Sequence, residues 1–453
     1  MLRLDTDVFF VKGDHGRAAV FAPLRGIIGE LPPILAEELE GGASSVASPQ
    51  LAAYLYGLEL LVKSDSVTQP PAVKADGVFK PRGVVFMVTS ACNLRCEYCY
   101  AEAGDHAVEP FDHQMALDAA KLCIDNAVEM GVPDAYLSFH GGGEPSLDFG
   151  FIRHVVEASR AYARDVGDTV RVITSMVTNG VMSRRRLEWV AQNIDSVQVS
   201  YDGPDEIHNR QRPTLRGGAS AHLVREAIKF LEGRVPDLLI KSTISAYSVH
   251  YMPEIVEHLC STFALKRFHL GPVLGAGRGR FPEYGEPDPE AFVYGYYRAQ
   301  EIAARHGATI VVSQVEKSFP NVRRTYCGVT DPNFVLTQNG DISSCYEIMS
   351  RKDPRSSEYF YGSYNRENRS FEVDEQAIKA ARTRDVNGLT TCRQCFAKWQ
   401  CAGDCQARWL DDVTGFPREK ADIRCKINRE LVRRRIFAEL DRQHSAGIDC
   451  DGI

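Results

Sequence analysis

A chain of 453 residues has room for two or three domains of about 100–200 residues each. Its 44% apolar and 25% charged content excludes a disordered or fibrous protein, and a net charge of −7 excludes a nucleic-acid-coating surface, which needs a basic excess. No charged and apolar targeting segment stands out and no apolar run approaches the roughly 18–20 residues that span a bilayer, so no membrane partner and a cytoplasmic location are expected.

Residues 1–64 predict a small α+β module. VFFV and AAVFAPL flank the turn-rich KGDHG as a β-hairpin, and PPILAEEL and PQLAAYLYGLELLVK read as helices. A linker follows over 65–79. Short apolar strands then alternate with amphipathic helices over 80–318. The strands are VVFMVTS, AYLSFHG, VRVITSMVT, SVQVSYDG, LLIKSTIS, FHLGPV and ATIVVS; the helices lie at about 112–130, 149–165, 184–193, 220–233, 251–263 and 288–306. Such alternation predicts βαβ units and a parallel sheet, as an incomplete barrel or an open doubly wound sheet. Either arrangement places its chemistry at the C-terminal ends of the strands. A cysteine-rich region spans 319–430, and a C-terminal helix and tail close the chain over 431–453, the helical pattern running through REKADIRCKINRELVRRRIFAELDRQ.

Thirteen cysteines in a chain expected to be kept reduced point to metal ligation. Three of them, Cys92, Cys96 and Cys99 in CNLRCEYCY, directly follow the first barrel strand. Iron–sulfur sites usually take four thiolates, so three leave one iron open to a small molecule. The spacing C-x3-C-x2-C, with aromatic Tyr98 before the third cysteine, resembles the signature of the radical S-adenosylmethionine (radical SAM) enzymes. The resemblance implies a partial (β/α)6 barrel, a [4Fe–4S] cluster that binds S-adenosylmethionine, and hydrogen abstraction by a 5′-deoxyadenosyl radical. It also implies a low-potential electron donor such as flavodoxin or ferredoxin. By the same resemblance, Gly142, Gly143 and Glu144 of GGGEP contact the methionine amino group, where glycines suit close approach of backbone to ligand. Asn179 of TNG and Ser200 of SYDGPDEIHNRQR then lie near the ribose and carboxylate. Arg212 is the expected carboxylate partner, because a guanidinium grips a carboxylate with two parallel hydrogen bonds. His208 and Asn209 stand where a His-Asp pair is commoner, and both are kept out of catalysis.

In the C-terminal region, Cys327 and Cys345 are followed by Cys392-x2-Cys395-x5-Cys401-x3-Cys405 and then Cys425. This resembles the seven-cysteine SPASM signature, which implies two auxiliary [4Fe–4S] clusters and three in all. Cys392, Cys395, Cys401 and Cys425 would hold one; Cys327, Cys345 and Cys405 would hold the other, with its fourth ligand open. Cys450 is expected as a free thiol on the tail, and Cys123 and Cys260 as small core residues. The competing explanation is structural zinc in tetrahedral thiolate sites, which would make the chain a zinc-binding scaffold.

SPASM relatives mostly modify peptides or proteins, and the N-terminal module loosely resembles winged-helix elements that hold leader peptides by strand addition. The resemblance therefore implies a maturase that crosslinks (thioether or C–C) or oxidises a ribosomally synthesised precursor peptide. An oxidase or epimerase of a small molecule, or a sulfatase-type protein maturase, is the alternative. Sulfatase-maturing relatives carry an aspartate directly after the cysteine matching Cys345. Here Tyr346 and Glu347 follow, and both become candidate catalytic proton acceptors.

Overall fold

The computed structural model describes residues 2–35, 48–72, 77–105, 109–312, 321–411, 413–415, 417 and 422–446. Strand β1 (Leu2–Leu4) precedes the expected hairpin, in which β2 (Phe9–Lys12) pairs antiparallel with β3 (Ala18–Ala22). A third strand, β4 (Ile27–Glu30), pairs with β3. Helix α1 (Pro49–Gly57) is capped by Ser48. The expected continuation of this helix through LELLVK is corrected. A left-handed turn at Glu59 (φ 56°) ends it, Leu60 turns into the module's core, and β5 (Leu61–Lys63) pairs with β1. Most of the helix expected at PPILAEEL lies outside the described residues, as does Cys450.

The apolar stretches that follow pair in the order in which they occur. They are β6 (Gly83–Met87), β7 (Asp134–His140), β8 (Arg171–Thr178), β9 (Ser196–Ser200), β10 (Asp237–Ile244), β11 (Arg267–Pro272) and β12 (Thr309–Val311). Every neighbouring pair is parallel. A doubly wound sheet would reverse its strand order at a switch point, so this sequential order is that of a partial (β/α)6 barrel. The connecting helices are α2 (His113–Glu129), α3 (Phe149–Asp165), α4 (Arg184–Asn193), α5 (Asp205–Gln211), α6 (Ala221–Leu231), α7 (Met252–Thr262) and α8 (Pro289–Arg305). Helix α5 was not expected.

Burial alternates strictly along β8 and β10. One face packs on the helices, forming a core in which Phe86, Phe111, Phe139 and Phe151 meet ring to ring. The other face, with Ser175, Gln198, Ser200, Lys241 and Thr243, lines a partly accessible lumen. Cys123 and Cys260 are buried in the core, as expected of small apolar residues.

The sheet does not stop at β6. Strand β13 (Val335–Leu336) pairs parallel with it, and β14 (Asp341–Ser343), β15 (Phe360–Asn365) and β16 (Ser370–Val373) continue antiparallel to give eleven strands. Helices α9 (Glu375–Thr383), α10 (Lys398–Cys401) and α11 (Ile423–Ser445) complete the described chain. The first residues of the expected final helix, 418–421, lie outside the described residues; Asp422 caps α11 through the Cys425 N–H at 3.0 Å. The N-terminal module docks here, with Asp7 bonded to Trp399 Nε1 at 2.8 Å and Lys398 Nζ at 2.7 Å, and Arg17 over the Phe437 ring. Among the described residues no helix is long and apolar enough to cross a membrane.

Candidate functional site

The loop after β6 carries Cys92, Cys96 and Cys99, and its shape is imposed by backbone contacts with the loop after β7. Gly143 N–H donates to Thr89 O and Glu144 N–H to Ala91 O, both at 2.8 Å. A Cβ on Gly143 would lie 1.9 Å from Ala91 O. The close approach this glycine permits within the chain is to the cysteine loop itself. Glu144 serves the same frame. Its buried carboxylate accepts from Thr178 Oγ1 (2.7 Å), Asn179 N–H (2.7 Å) and Ser146 N–H (3.0 Å), tying the second strand end to the third. Asn179 in turn bonds Asn93 Oδ1 at 2.7 Å and approaches Cys92 Sγ at 3.8 Å, so its amide faces the thiols. Gly142 lies against the Met349 side chain.

From the far side of the barrel, Arg278 clasps the same loop. Its N–H donates to Cys99 O (3.0 Å), its Nε to Cys96 O (2.9 Å) and its Nη1 to Asp105 (2.6 Å). Nothing in the GRGR stretch marks this role in the sequence, because its partner is 182 residues away. The three thiols end close enough to influence one another. Burial pushes Cys96 up to about 12; Arg212 opposes this, and Cys99 and Cys92 add to it.

A buried network beneath the loop was also missed. Asp202, fully buried after β9, accepts from Arg212 Nε (3.0 Å), Gln211 Nε2 (2.9 Å), Thr243 N–H (2.9 Å) and the Tyr98 hydroxyl. Tyr98 thus supports this carboxylate, and Arg212 lies over its ring at 5.2 Å. With its Nε anchored, Arg212 presents Nη1 at 3.7 Å from Cys96 Sγ and Nη2 at 3.5 Å from Thr243. A carboxylate seated on that edge would adjoin the cluster corner. Ser200 ends β9 on the same lumen face. His208 accepts from Asp202 N–H at 3.1 Å and Asn209 accepts from Ser220 and Ala221 N–H at 2.8 Å, so both shape the loop.

The C-terminal thiols fall into two groups. Burial raises Cys401 far above its ordinary value, with Asp404, Cys425, Cys395 and Cys392 adding to it. Burial likewise raises Cys405, with Glu347 and Cys345 next, and pushes Cys345 up to about 12, with Cys327 among its contributors. Ala402, Gly403 and Asp404 take left-handed backbone between Cys401 and Cys405. This turn brings Asp404 to Arg424 (2.7 and 3.0 Å) and to Asn428 Nδ2 (2.6 Å), which also reaches Cys401 Sγ at 3.4 Å. Both thiol sets have the soft donor chemistry that iron–sulfur clusters need.

The buried Glu347 carboxylate is engaged by the guanidinium groups of Arg355 (2.9 Å) and Arg408. Burial, then Cys327 and Cys345, raises the Tyr346 phenol, so it keeps its proton. Tyr346 packs on His140 at the barrel mouth, 5.4 Å between ring centroids. Tyr100 lies where the loop and the C-terminal thiols approach: burial raises its phenol, followed by Cys99, Glu347 and Cys345.

Residues 86–259 match the Radical SAM superfamily. The chain is similar to the sporulation killing factor maturation protein SkfB of Bacillus subtilis, 27% identical over 208 residues and 44% of each chain. It is similar also to an AdoMet-dependent heme synthase of Nitratidesulfovibrio vulgaris, 27% identical over 210 residues, 46% of this chain and 52% of that one. The chain thus spans about half the length of these curated relatives. The solved structure of native anSMEcpe with bound AdoMet and Kp18Cys peptide shares the fold, with a TM-score of 0.62 at 16% identity over 80% of this chain and 99% of that one. Residues 86–259 are therefore a radical SAM domain, a class whose cofactors are S-adenosylmethionine and a [4Fe–4S] cluster. The relatives of this chain include SkfB and a serine-type anaerobic sulfatase-maturating enzyme of Bacteroides thetaiotaomicron, 27% identical over 168 residues, 36% of this chain and 39% of that one.

Proposed function

We propose that this chain is a radical SAM maturase that crosslinks or oxidises a residue of a ribosomally made peptide. One observation carries the reading: Arg212, fixed through Nε by buried Asp202, turns Nη1 toward Cys96 Sγ at the mouth of the lumen. When bound, the cluster supplies the electron that cleaves S-adenosylmethionine, giving a radical that takes hydrogen from a substrate carbon. The chain's own residues prepare for this. Cys92, Cys96 and Cys99 hold the cluster, the glycine turn and Arg212 orient the methionine moiety, and the lumen walls keep water from the radical. In the C-terminal region, Cys392, Cys395, Cys401 and Cys425 would hold one auxiliary cluster, and Cys327, Cys345 and Cys405 a second.

The match to SkfB supports a peptide substrate, as does the docking of the N-terminal module, through Asp7, on Lys398 and Trp399, between two of the auxiliary thiols. The test is anaerobic coexpression with short peptides encoded nearby, followed by mass spectrometry, alongside an assay of reduced protein for deoxyadenosine. A crosslinked or dehydrogenated peptide is expected. Zinc in place of iron and sulfide, with no deoxyadenosine, would overturn the reading. The similar match to a heme synthase supports a second reading, a small-molecule substrate. Deoxyadenosine formation with every peptide left unmodified would favour it.

A further inference from the structure

Lys241 belongs to the lumen face of β10. Its neighbours Ile240 and Ser242 are fully buried on the opposite face, while Lys241 and Thr243 share the accessible one. In register it lies beside Ser200 on β9 and His269 on β11, so its Cα stands about 5 Å from each of those strands. Two residues further along the same face, Thr243 meets Arg212, whose neighbouring nitrogen reaches Cys96 Sγ. Across the lumen stands His140, on β7. Burial lowers its imidazole to about 4, and the next cause is the charge on Lys241, three strands away along the sheet. Lys241 thus points into the space that these strands enclose.

Its charge is uncompensated. Among the described residues no hydrogen bond or ion pair engages the amine, and the charges that bear on it are those of Arg212 and Arg424, both cationic. Those two arginines are already paired, with Asp202 and Asp404. Burial, then the two arginines, lowers the affinity of Lys241 for its proton. An ammonium in this partly accessible lumen, with only cationic neighbours bearing on it, is stabilised by an incoming anion. S-Adenosylmethionine offers one carboxylate, which the Arg212 edge accommodates, and a sulfonium of the same sign as the amine. With that carboxylate on the Arg212 edge, a hydrogen-bonding anion for Lys241 is left to the substrate.

We infer that Lys241 receives a carboxylate of the substrate peptide, carried close to the carbon that loses hydrogen; this rests on the peptide reading above. The carboxylate comes from an acidic side chain or from the peptide's C-terminus. Both take the same charge-assisted hydrogen bonds from an ammonium.

The test uses reconstituted full-length protein with S-adenosylmethionine bound and three fluorescein-labelled pools of 12-residue synthetic peptides. One pool has a single internal Glu and an amidated end, one has only neutral residues and a free C-terminus, and one is neutral and amidated. Fluorescence anisotropy is expected to show one of the first two binding at least tenfold tighter than the third. Lys241→Gln should erase that preference and Lys241→Arg should retain most of it. The proposal is overturned by equal affinities for the three pools in the wild type, by no binding of any pool, or by a preference that survives Lys241→Gln. It is equally overturned if Lys241→Gln weakens S-adenosylmethionine binding in equilibrium dialysis tenfold or more, since the lysine would then serve the cofactor. Anisotropy does not depend on turnover. Failure of reduced wild type to form deoxyadenosine would sink the radical reading separately and leave the binding result readable.

Discussion

The two thiol-bearing regions are built on opposite plans. Cys92, Cys96 and Cys99 lie in one short loop held by backbone: Gly143 against Ala91 on one side, Arg278 on Cys96 and Cys99 carbonyls on the other. Cys392, Cys395 and Cys401 lie in one segment and Cys425 in α11, and side chains tie the two: Asn428 of α11 reaches both Cys401 and the Asp404 hub, which also holds Arg424. On the proposed reading, the first plan would supply three ligands in fixed positions beside Arg212. The second would supply four, with no such arginine edge. A site that leaves a corner for a reactant needs a rigid frame, whereas a site that closes on its cluster can be drawn into shape by the cluster itself.

The largest expected effect breaks this comparison directly. Cys96→Ala should lower deoxyadenosine formation at least about a thousandfold, about 4 kcal/mol in barrier terms. Cys425→Ala should remove a comparable amount of iron and cost far less of that activity. Equal losses in the two variants would end the proposed division of labour. Next, Asp202→Asn should destabilise the barrel by about 4 kcal/mol in urea unfolding, because it leaves the buried Arg212 charge without its partner. It should also weaken S-adenosylmethionine binding, which a purely structural pair would not do. Gly143→Ala should cost about 3 kcal/mol, since its Cβ would overlap Ala91 O, and should lower iron retention in the three-thiol loop before the C-terminal sites.

The smallest effect sharpens the comparison through pH. Burial lowers His208 from an ordinary value of 6.5 to about 3. The unfolded chain therefore binds a proton below about 6.5 that the folded barrel refuses until about 3, and stability present above 6.5 is lost as pH falls. At pH 5 this amounts to about 2 kcal/mol, and His208→Gln should flatten that part of the profile. In the described C-terminal region from residue 321 onward, the sole histidine is the half-exposed His444. Acid should therefore weaken the barrel first, seen as earlier loss of amide exchange protection in β8–β10 than in α11.

Six barrel helices were placed within about two residues of their ends because amphipathic period and capping residues such as Asp112, Asp148 and Asp288 are local signals. Helix α5 was not, since DEIHNRQ offers one apolar residue, Ile207, and no period. The three-thiol loop was legible for the same reason as the helices: its ligands are neighbours. Asp202 and Arg278 were not, because a buried aspartate and a loop arginine acquire meaning only from partners brought in by folding. For Glu144 and Gly143 the motif marks the residues, and folding adds what they touch, Thr178 and the Ala91 carbonyl. Leu61–Lys63 reads as helix by composition, and only pairing with Leu2–Leu4 makes it a strand.

The hydrogen bonds from Gly143 and Glu144 to the Thr89 and Ala91 carbonyls make the ends of the first two barrel strands one mechanical part. A molecule pressing on the glycine turn presses equally on the chain leading to the first thiol, so neither can yield while the other stays. Such a jaw grips identically whatever lies deeper inside. Choice among guests would fall to the walls behind it, the inward side chains of the later strands.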